Sequence, residues 1–144
     1  MSKDLLNLVE KKQLESAIKE AEKNTSGEIR VHIEKKCEGD VLDRAAYLFD
    51  LLEMQKTKLR NGVLIYLAVD NRQLAILGDA GINQKVPVDF WDKTKDLMVE
   101  HFKKGDFFGG LSGGVLSAGN QLKKYFPSDK SDTNELNNEI SLGD

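Results

Sequence analysis

Three carboxylates beside glycine residues are the strongest candidates for chemistry in this sequence. Glu28, Asp79 and Asp106 each come directly after a glycine. Glycine allows the backbone to approach a ligand closely, and a carboxylate at the end of a strand can face that ligand. Carboxylates that come close together repel each other, and a hard divalent cation with oxygen ligands is the usual solution. The three acids are therefore candidate ligands of a divalent cation.

Two apolar runs in the middle of the chain predict the strands that position these acids. The runs are Val63 to Val69 and Leu74 to Leu77, and Asp70-Asn71-Arg72 separates them. β-branched and aromatic residues flanked by glycine and by Asn or Asp are typical of strands, so we predict a β-hairpin. The first run has almost no polar break, which indicates a central strand covered on both faces.

The predicted topology brings two of the acids to one edge of the sheet. A strand from Glu28 to Lys36 precedes a helix from about Asp40 to Gln55. A strand, helix, strand order predicts a right-handed parallel crossover. The starts of the two parallel strands and the end of the third strand then lie together. Glu28 and Asp79 should converge there, with Asn61 nearby as a source of neutral oxygen.

Ordinary structural roles compete with metal binding at each acid. Glu28 and Asp79 can be acids at the ends of exposed loops that pair with Arg60 or Arg30. Asp106 precedes the last predicted helix, so it can be the N-cap of that helix. It would be a further metal ligand only if its loop folds over the same edge. The sequence leaves these roles open.

The remaining pattern predicts helices on both faces of this sheet. Apolar residues recur at helical spacing from about Glu10 to Lys23, and further helices are predicted from about Val88 to Lys104 and from Phe107 to Tyr125. Glycines in the last helix indicate close packing against the sheet or another helix. The expected fold class is α/β, a three-layer α/β/α sandwich with a small, twisted, mixed sheet of three to four strands and four to five helices. Residues 1–126 should form one domain, and the polar tail 127–144 should be disordered.

Composition and charge argue against several classes of function. The net charge is −3, and lysine and arginine are interleaved with acids, so no basic stripe for nucleic acid is present. A single cysteine and two histidines argue against a zinc site. The N-terminus has no long apolar core, and the weakly polar segment Phe107 to Ala118 is too short to span about 30 Å of hydrocarbon. We expect a cytoplasmic protein without nucleic-acid binding or direct membrane insertion.

Three sequence motifs, which follow one another along the chain, resemble those of the TPM domain family. They are TSGEIRVHIE, RNGVLIYLAVDNRQLAILGDAGINQKVP with FW after it, and FKKGDFFGGLSGGV, within about residues 5 to 126. The family fold is an α/β/α sandwich. The resemblance implies binding of a divalent cation, with calcium as the ion of the plant relative, and the matching acids are Glu28, Asp79 and Asp106. It also implies acid phosphatase activity, which is claimed for the branch of that plant relative.

Two classes of function follow. The first is a non-catalytic binding or regulatory module, in which a bound calcium or magnesium ion orders loops for a protein partner. The alternative is a metal-dependent acid phosphatase, in which the ion polarises a phosphoryl oxygen and activates water. The sequence lacks the Cys-x5-Arg, Asp-x-Asp-x-Thr/Val and Arg-His-Gly motifs of phosphatases. The binding module is therefore the preferred interpretation.

Overall fold

The sheet is organised around one strand that is buried along its whole length. The computed structural model describes residues 6–23, 25–127 and 140–143. The strands are β1 (Glu28–Glu34), β2 (Gly62–Ala68), β3 (Gln73–Gly78) and β4 (Ser141–Leu142). All residues of β2 are buried, and β2 pairs in parallel with β1 and antiparallel with β3. The sheet order β3-β2-β1-β4 confirms the predicted mixed sheet, hairpin and central strand.

Helices cover both faces of this sheet. They are α1 (Leu8–Glu22), α2 (Val41–Leu51), α3 (Ala80–Asn83), α4 (Asp92–Lys103) and α5 (Phe107–Tyr125), with a 3₁₀ turn at Met54–Lys56. α1, α4 and α5 pack on one face, and α2 packs with the 3₁₀ turn on the other. The predicted three-layer α/β/α sandwich is therefore confirmed. Within the described ranges, no helix is long and apolar enough to cross a membrane.

Alternation along the strands gives each face of the sheet its own core. The core under α1, α4 and α5 includes Leu14, Ile18, Ile29, Val31, Ile33, Val63, Ile65, Leu67, Met98, Leu111 and Val115. The smaller core under α2 includes Ala45, Leu48, Phe49, Met54, Leu64, Tyr66 and Ala68. Neighbouring residues of a strand point to opposite faces, so Ile65 and Tyr66 belong to different cores.

Two helix boundaries differ from the prediction by four residues, and each of these differences has a local cause. α2 ends at Leu51 rather than Gln55, because Glu53 adopts a left-handed backbone conformation with φ of 59° and precedes the 3₁₀ turn. α4 begins at Asp92 rather than Val88. The residues before Asp92 form turns that satisfy some of their own backbone hydrogen bonds and delay the regular helix.

Part of the tail that was predicted to be disordered forms a strand. Residues 128–139 and 144 lie outside the described residues, so disorder stays a prediction for them. Ser141 and Leu142 form β4, and the N–H of Gly143 donates to the carbonyl of Ile33 at 2.7 Å. The backbone along the edge of β1 supplies these hydrogen bonds. Because such pairing needs few apolar side chains, it leaves little trace in the sequence.

Glycines on α5 allow two helices to approach it closely. A Cβ atom placed on Gly119 would lie 2.6 Å from the carbonyl oxygen of Ala21 in α1, and one on Gly110 would lie 2.4 Å from the ring of Phe102 in α4. The close packing predicted for the last helix is confirmed, and its partners are helices. A Cβ on Gly113 would instead have its nearest neighbour at 3.7 Å, an ordinary van der Waals contact.

We expect Gly119→Ala to lower the free energy of unfolding by about 1.5 kcal/mol, because the added methyl group must displace the backbone of α1. Gly113→Ala is the matched control. It should raise the free energy of unfolding by up to about 0.8 kcal/mol, since only helix propensity changes there. Urea unfolding of both variants measures the difference, and equal effects at the two positions would contradict the close approach of α1 and α5.

Candidate functional site

Two of the predicted acids flank the start of β2, as the predicted topology requires. Glu28 pairs with Gly62 in the β1–β2 register, and its N–H donates to the carbonyl of Asn61 at 3.3 Å. The N–H of Asp79 donates to the carbonyl of Gly62 at 3.0 Å on the other side of the strand. The edge of the sheet that Glu28, Asn61 and Asp79 share is called the acidic edge below.

Arg60 holds the carboxylate of Asp79. The guanidinium donates two hydrogen bonds, from Nε to Oδ2 at 2.7 Å and from an Nη atom to Oδ1 at 2.9 Å. The N–H of Ala80 also donates to Oδ1, at 2.7 Å. Asp79 is 6% exposed and the Arg60 side chain is 51% exposed, so this bidentate ion pair is buried only on its carboxylate side. The pairing with Arg60 that the sequence left open is the arrangement in the structure.

The backbone of Gly81 fixes the loop that carries this ion pair. The N–H of Gly81 donates to the carbonyl of Arg60 at 2.8 Å. A Cβ atom on Gly81 would lie 2.0 Å from the carbonyl oxygen of Leu59, which leaves room only for glycine. The Gly-Asp-Ala-Gly segment therefore docks against the residues that precede β2. This is the close backbone approach that the glycines of the segment predict.

A further carboxylate at the acidic edge belongs to Glu22, which the sequence analysis did not identify. Glu22 is the last residue of α1, and its Oε2 accepts a hydrogen bond from the N–H of Ile29 at 2.9 Å. Burial, together with a smaller effect of the charge of Glu28, raises the pKa of Glu22 to about 7 against the lowering effect of that N–H. A turn of a few residues between α1 and β1 brings the two acids together. The sequence signal that could have identified Glu22 is its position, six residues before Glu28 and on the other side of that turn.

Asn61 adds a buried amide to the same edge. Asn61 is 1% exposed, its N–H donates to Oγ1 of Thr57 at 3.1 Å, and its Nδ2 donates to Oγ of Ser26 at 3.1 Å. Within the part of the chain that the structure describes, the buried Oδ1 of Asn61 accepts no hydrogen bond. Buried amide oxygens normally have a partner. A carbonyl-type oxygen beside carboxylates is a suitable ligand for a hard divalent cation.

Asp106 acts as the N-cap of α5. Its Oδ1 accepts a hydrogen bond from the N–H of Gly109 at 2.9 Å, and its Oδ2 lies 3.0 Å from Nδ1 of His101. The hydrogen bond with His101, and then that with Gly109, lower the pKa of this exposed carboxyl group. The N-cap role that the sequence offered as an alternative is therefore present.

The direction of α5 places Asp106 far from the acidic edge. α5 has 19 residues, which correspond to about 28 Å of helix. Its C-terminal end lies at the acidic edge, where the N–H of Ser26 and Oγ1 of Thr25 donate to the carbonyl of Phe126. Its N-terminal end, with Asp106, lies at the opposite end of the sheet. The structure thus brings Glu28 and Asp79 together and leaves Asp106 apart.

Among residues 6–23, 25–127 and 140–143, no group of three or more His, Cys, Asp or Glu side chains is arranged to hold a metal ion. A cation at the acidic edge would therefore draw on two carboxylates, those of Glu22 and Glu28, and on neutral oxygens such as Oδ1 of Asn61. The donor set is all oxygen, which suits calcium or magnesium rather than zinc.

The other end of β1 carries a buried polar network under α2. Nε and an Nη atom of Arg44 donate to the two oxygens of Glu34, each at 2.8 Å, and the hydroxyl of Tyr66 donates to the same carboxylate. Nε2 of His32 lies 3.4 Å from Oε1 of Glu34, and its Nδ1 lies 2.9 Å from Oγ of Ser141 in β4. The network ties α2 and β4 to β1.

The electrostatics of this network indicate a structural role. Burial on its own would raise the pKa of Glu34, but the hydrogen bonds from Arg44, Tyr66 and His32 lower it to about 2. Burial lowers the pKa of His32, which favours the neutral imidazole. A carboxylate whose charge is satisfied in this way is a poor acid or base near neutral pH.

Helices on both faces of a mixed sheet place this domain in the α/β class, as a three-layer sandwich. Residues 2–121 match the TPM domain, and the chain belongs to that family. The NMR structure of the BA42 protein from the psychrophilic bacterium Bizionia argentinensis is 53% identical, with a TM-score of 0.90 over 96% of this chain and 95% of that chain.

Two further NMR structures share the fold at lower identity. The N-terminal domain of a protein from P. gingivalis is 22% identical, with a TM-score of 0.72 over 85% of this chain and 79% of that chain. The N-terminal domain of the cg2496 protein from Corynebacterium glutamicum is 15% identical, with a TM-score of 0.66 over 90% of this chain and 81% of that chain. A comparison with curated proteins found no match.

Proposed function

We propose that this TPM domain binds one divalent cation, calcium or magnesium, at the acidic edge and acts as a non-catalytic binding or regulatory module. The observation that carries the proposal is that the charge of Glu28 acts on the carboxyl group of Glu22, while the backbone of Glu28 pairs with Asn61, whose buried Oδ1 accepts no hydrogen bond in the described chain. Two carboxylates in one place favour a cation, and the amide oxygen adds a neutral ligand.

A cation bound there would link elements that are distant in the sequence. Glu22 ends α1, Glu28 begins β1, and Asn61 precedes β2. Neutralising the two carboxylates removes their repulsion, so the bound state should hold these three segments together more firmly. A protein partner that contacts this edge would then bind a preorganised surface, which lowers the entropic cost of association. Through this coupling, binding of calcium or magnesium would increase the affinity of the module for its protein partner.

Asp79 and Asp106 are left out of the proposed ligand set. Both oxygens of Asp79 already accept hydrogen bonds from Arg60, and a cation would have to displace that guanidinium. Asp106 lies at the other end of α5. Glu28 is therefore the one acid that the sequence prediction and the structural proposal share, and Glu22 takes the place of the other two.

Thermal unfolding with and without calcium or magnesium tests the cation site. A ligand that binds only the folded protein stabilises it by about 1.4 kcal/mol at a free concentration tenfold above Kd, and the unfolding midpoint rises accordingly. We expect Glu28→Gln to abolish the rise, because it removes one of two charged ligands. Asp70→Asn is the matched control, since Asp70 lies in the β2–β3 turn at the opposite end of the sheet, and it should keep the full rise. Equal rises in both variants would contradict the assignment.

Turnover of a phosphate ester separates the binding module from the alternative, a metal-dependent acid phosphatase. The assay follows p-nitrophenyl phosphate from pH 4 to 8, with calcium or magnesium and with EDTA. The proposed module binds the cation without turnover. Metal-dependent hydrolysis that Glu28→Gln abolishes would instead support the phosphatase and refute the non-catalytic role.

A further inference from the structure

A cavity of about 530 Å³ lies at the end of the sheet opposite the acidic edge. It opens between the β2–β3 hairpin, the last turns of α4 and the start of α5. Its volume falls within the range of about 300 to 1,000 Å³ that is common for small-molecule sites. None of the residues proposed for cation binding lines it, so the two sites are separate.

The inner wall of this cavity is apolar. Leu67 and Leu74 pair across β2 and β3 on the face covered by α4 and α5. The rings of Phe102 and Phe107 stack with their centroids 5.5 Å apart. All four residues line the cavity, and Val99 of α4 completes the wall with 37% of its surface exposed. The wall offers van der Waals contact to the apolar body of a ligand.

The rim of the cavity is cationic. Arg72, Lys95 and Lys103 line it, and no Asp or Glu is among the lining residues, although the whole protein carries a net charge of −3. In the described part of the chain, none of these three cations forms a salt bridge. Asp106 precedes Phe107 in the sequence. Its carboxylate forms hydrogen bonds with His101 and with the N–H of Gly109 at the start of α5. The cavity therefore concentrates positive charge above an apolar wall.

Arg72, one of these three cations, lies in the turn between β2 and β3. Arg72 adopts a left-handed backbone conformation with φ of 53°, and its N–H donates to the carbonyl of Val69 at 3.2 Å. Turn chemistry alone favours Gly, Asn or Asp at such a position, and an arginine there is strained. Arg72 supplies a planar guanidinium that can donate two parallel hydrogen bonds to a carboxylate.

We propose that this cavity binds a small amphiphile that has an aliphatic body and a single carboxylate head. The apolar wall takes the aliphatic chain, and Arg72, Lys95 and Lys103 hold the carboxylate at the mouth. Charge complementarity selects the anion over a neutral molecule of the same shape, because three cations and no Asp or Glu are among the residues that line the cavity. The inference does not depend on cation binding at the acidic edge.

Backbone NMR titration with octanoate, and separately with octanol, tests the role of charge. Octanoate should shift the amides of residues around Leu74, Val99 and Phe107, and its Kd should be at least about tenfold lower than that of octanol. Equal affinity for the two probes would overturn the proposal, because the rim would then contribute nothing. Absence of shifts at millimolar octanoate, or shifts confined to other regions, would overturn it as well.

Variants with matched controls test the location. Val99→Asp places a carboxylate in the wall and should weaken octanoate binding about tenfold or more, whereas Val88→Asp, at a fully exposed site outside the cavity, should leave it unchanged. The double variant Lys95→Gln/Lys103→Gln keeps the wall intact and should also weaken binding. Unchanged affinity in both cavity variants would overturn the assignment, and the double variant decides the matter if Val99→Asp unfolds.

Discussion

Replacement of Arg44 by methionine is expected to lower the free energy of unfolding at pH 7 by about 3 kcal/mol. The guanidinium is bidentate to Glu34, whose side chain is 6% exposed. Removal of one partner of a buried ion pair typically costs about 3 to 5 kcal/mol. The low end applies here, because Arg44 is partly exposed and Tyr66 still donates to the buried carboxylate. Methionine keeps most of the aliphatic volume, so the loss reports the charge rather than a cavity.

The stabilisation that Arg44 gives to ionised Glu34 should depend on pH. The folded-state pKa of Glu34 is about 2, below its ordinary value of 4.5. Ionised Glu34 therefore stabilises the native state fully above pH 4.5, and this contribution declines as the pH falls toward 2. Urea unfolding between pH 2 and 7 should show a steeper loss in the wild type than in Arg44→Met.

Lys36→Met is the control for Arg44→Met, because it removes an exposed cation near the same strand. It should change the free energy of unfolding by less than about 0.5 kcal/mol. If the two variants lost equal stability, or if Arg44→Met kept the acid dependence of the wild type, the ion pair would not hold α2 on the sheet.

Replacement of Glu22 by glutamine should raise the free energy of unfolding by about 2 kcal/mol at pH 8 in metal-free buffer and leave it unchanged at pH 4. The folded-state pKa of Glu22 is about 7, above its ordinary value of 4.5. The native state thus holds a proton that the unfolded chain releases, so stability falls as the pH rises from 4.5 to 7 and then levels. Glutamine carries no charge but keeps an oxygen that can accept from the N–H of Ile29.

Glu20→Gln is the matched control on the same helix. Glu20 is exposed and pairs with Lys23 at 3.0 Å, so its replacement should have little effect at either pH. Chemical denaturation in EDTA at pH 4, 6 and 8 provides the comparison. A Glu22→Gln variant that gains nothing at pH 8 would contradict the buried, repulsive environment of Glu22, and with it the basis of the cation site.

Local patterns were sufficient to predict the framework of the acidic edge. The uninterrupted apolar run of β2 predicted a central strand, and Asp70-Asn71-Arg72 predicted the turn that returns β3 antiparallel. Given those directions, the convergence of Glu28 and Asp79 follows from topology alone. Side-chain period and turn chemistry act over a few residues, so they can be read without knowledge of the packed structure.

The side-chain partners at each site could not be predicted in the same way. The contacts of Glu34 with Arg44 and Tyr66, and of Glu22 with Ile29, depend on how α2 and α1 pack on the sheet. Asp79 had two possible arginine partners in the sequence, and only the packed loop selects Arg60.

Asp106 is a different case, because its position follows from the direction of the helices. β3 ends at the acidic edge, so α4 must run away from that edge and α5 must start at the far end. Following the elements one by one would have separated Asp106 from Glu28. The short strand β4 left no comparable signal, because backbone hydrogen bonds to β1 form most of its attachment.

A calcium titration followed by backbone NMR, with magnesium in parallel, tests the central claim most directly. We predict shifts confined to the amides around Glu22, Glu28 and Asn61, no shifts around Asp106, and loss of the response in Glu28→Gln. No shifts at millimolar cation, or shifts centred on Asp106 that persist in Glu28→Gln, would contradict a cation site at the acidic edge.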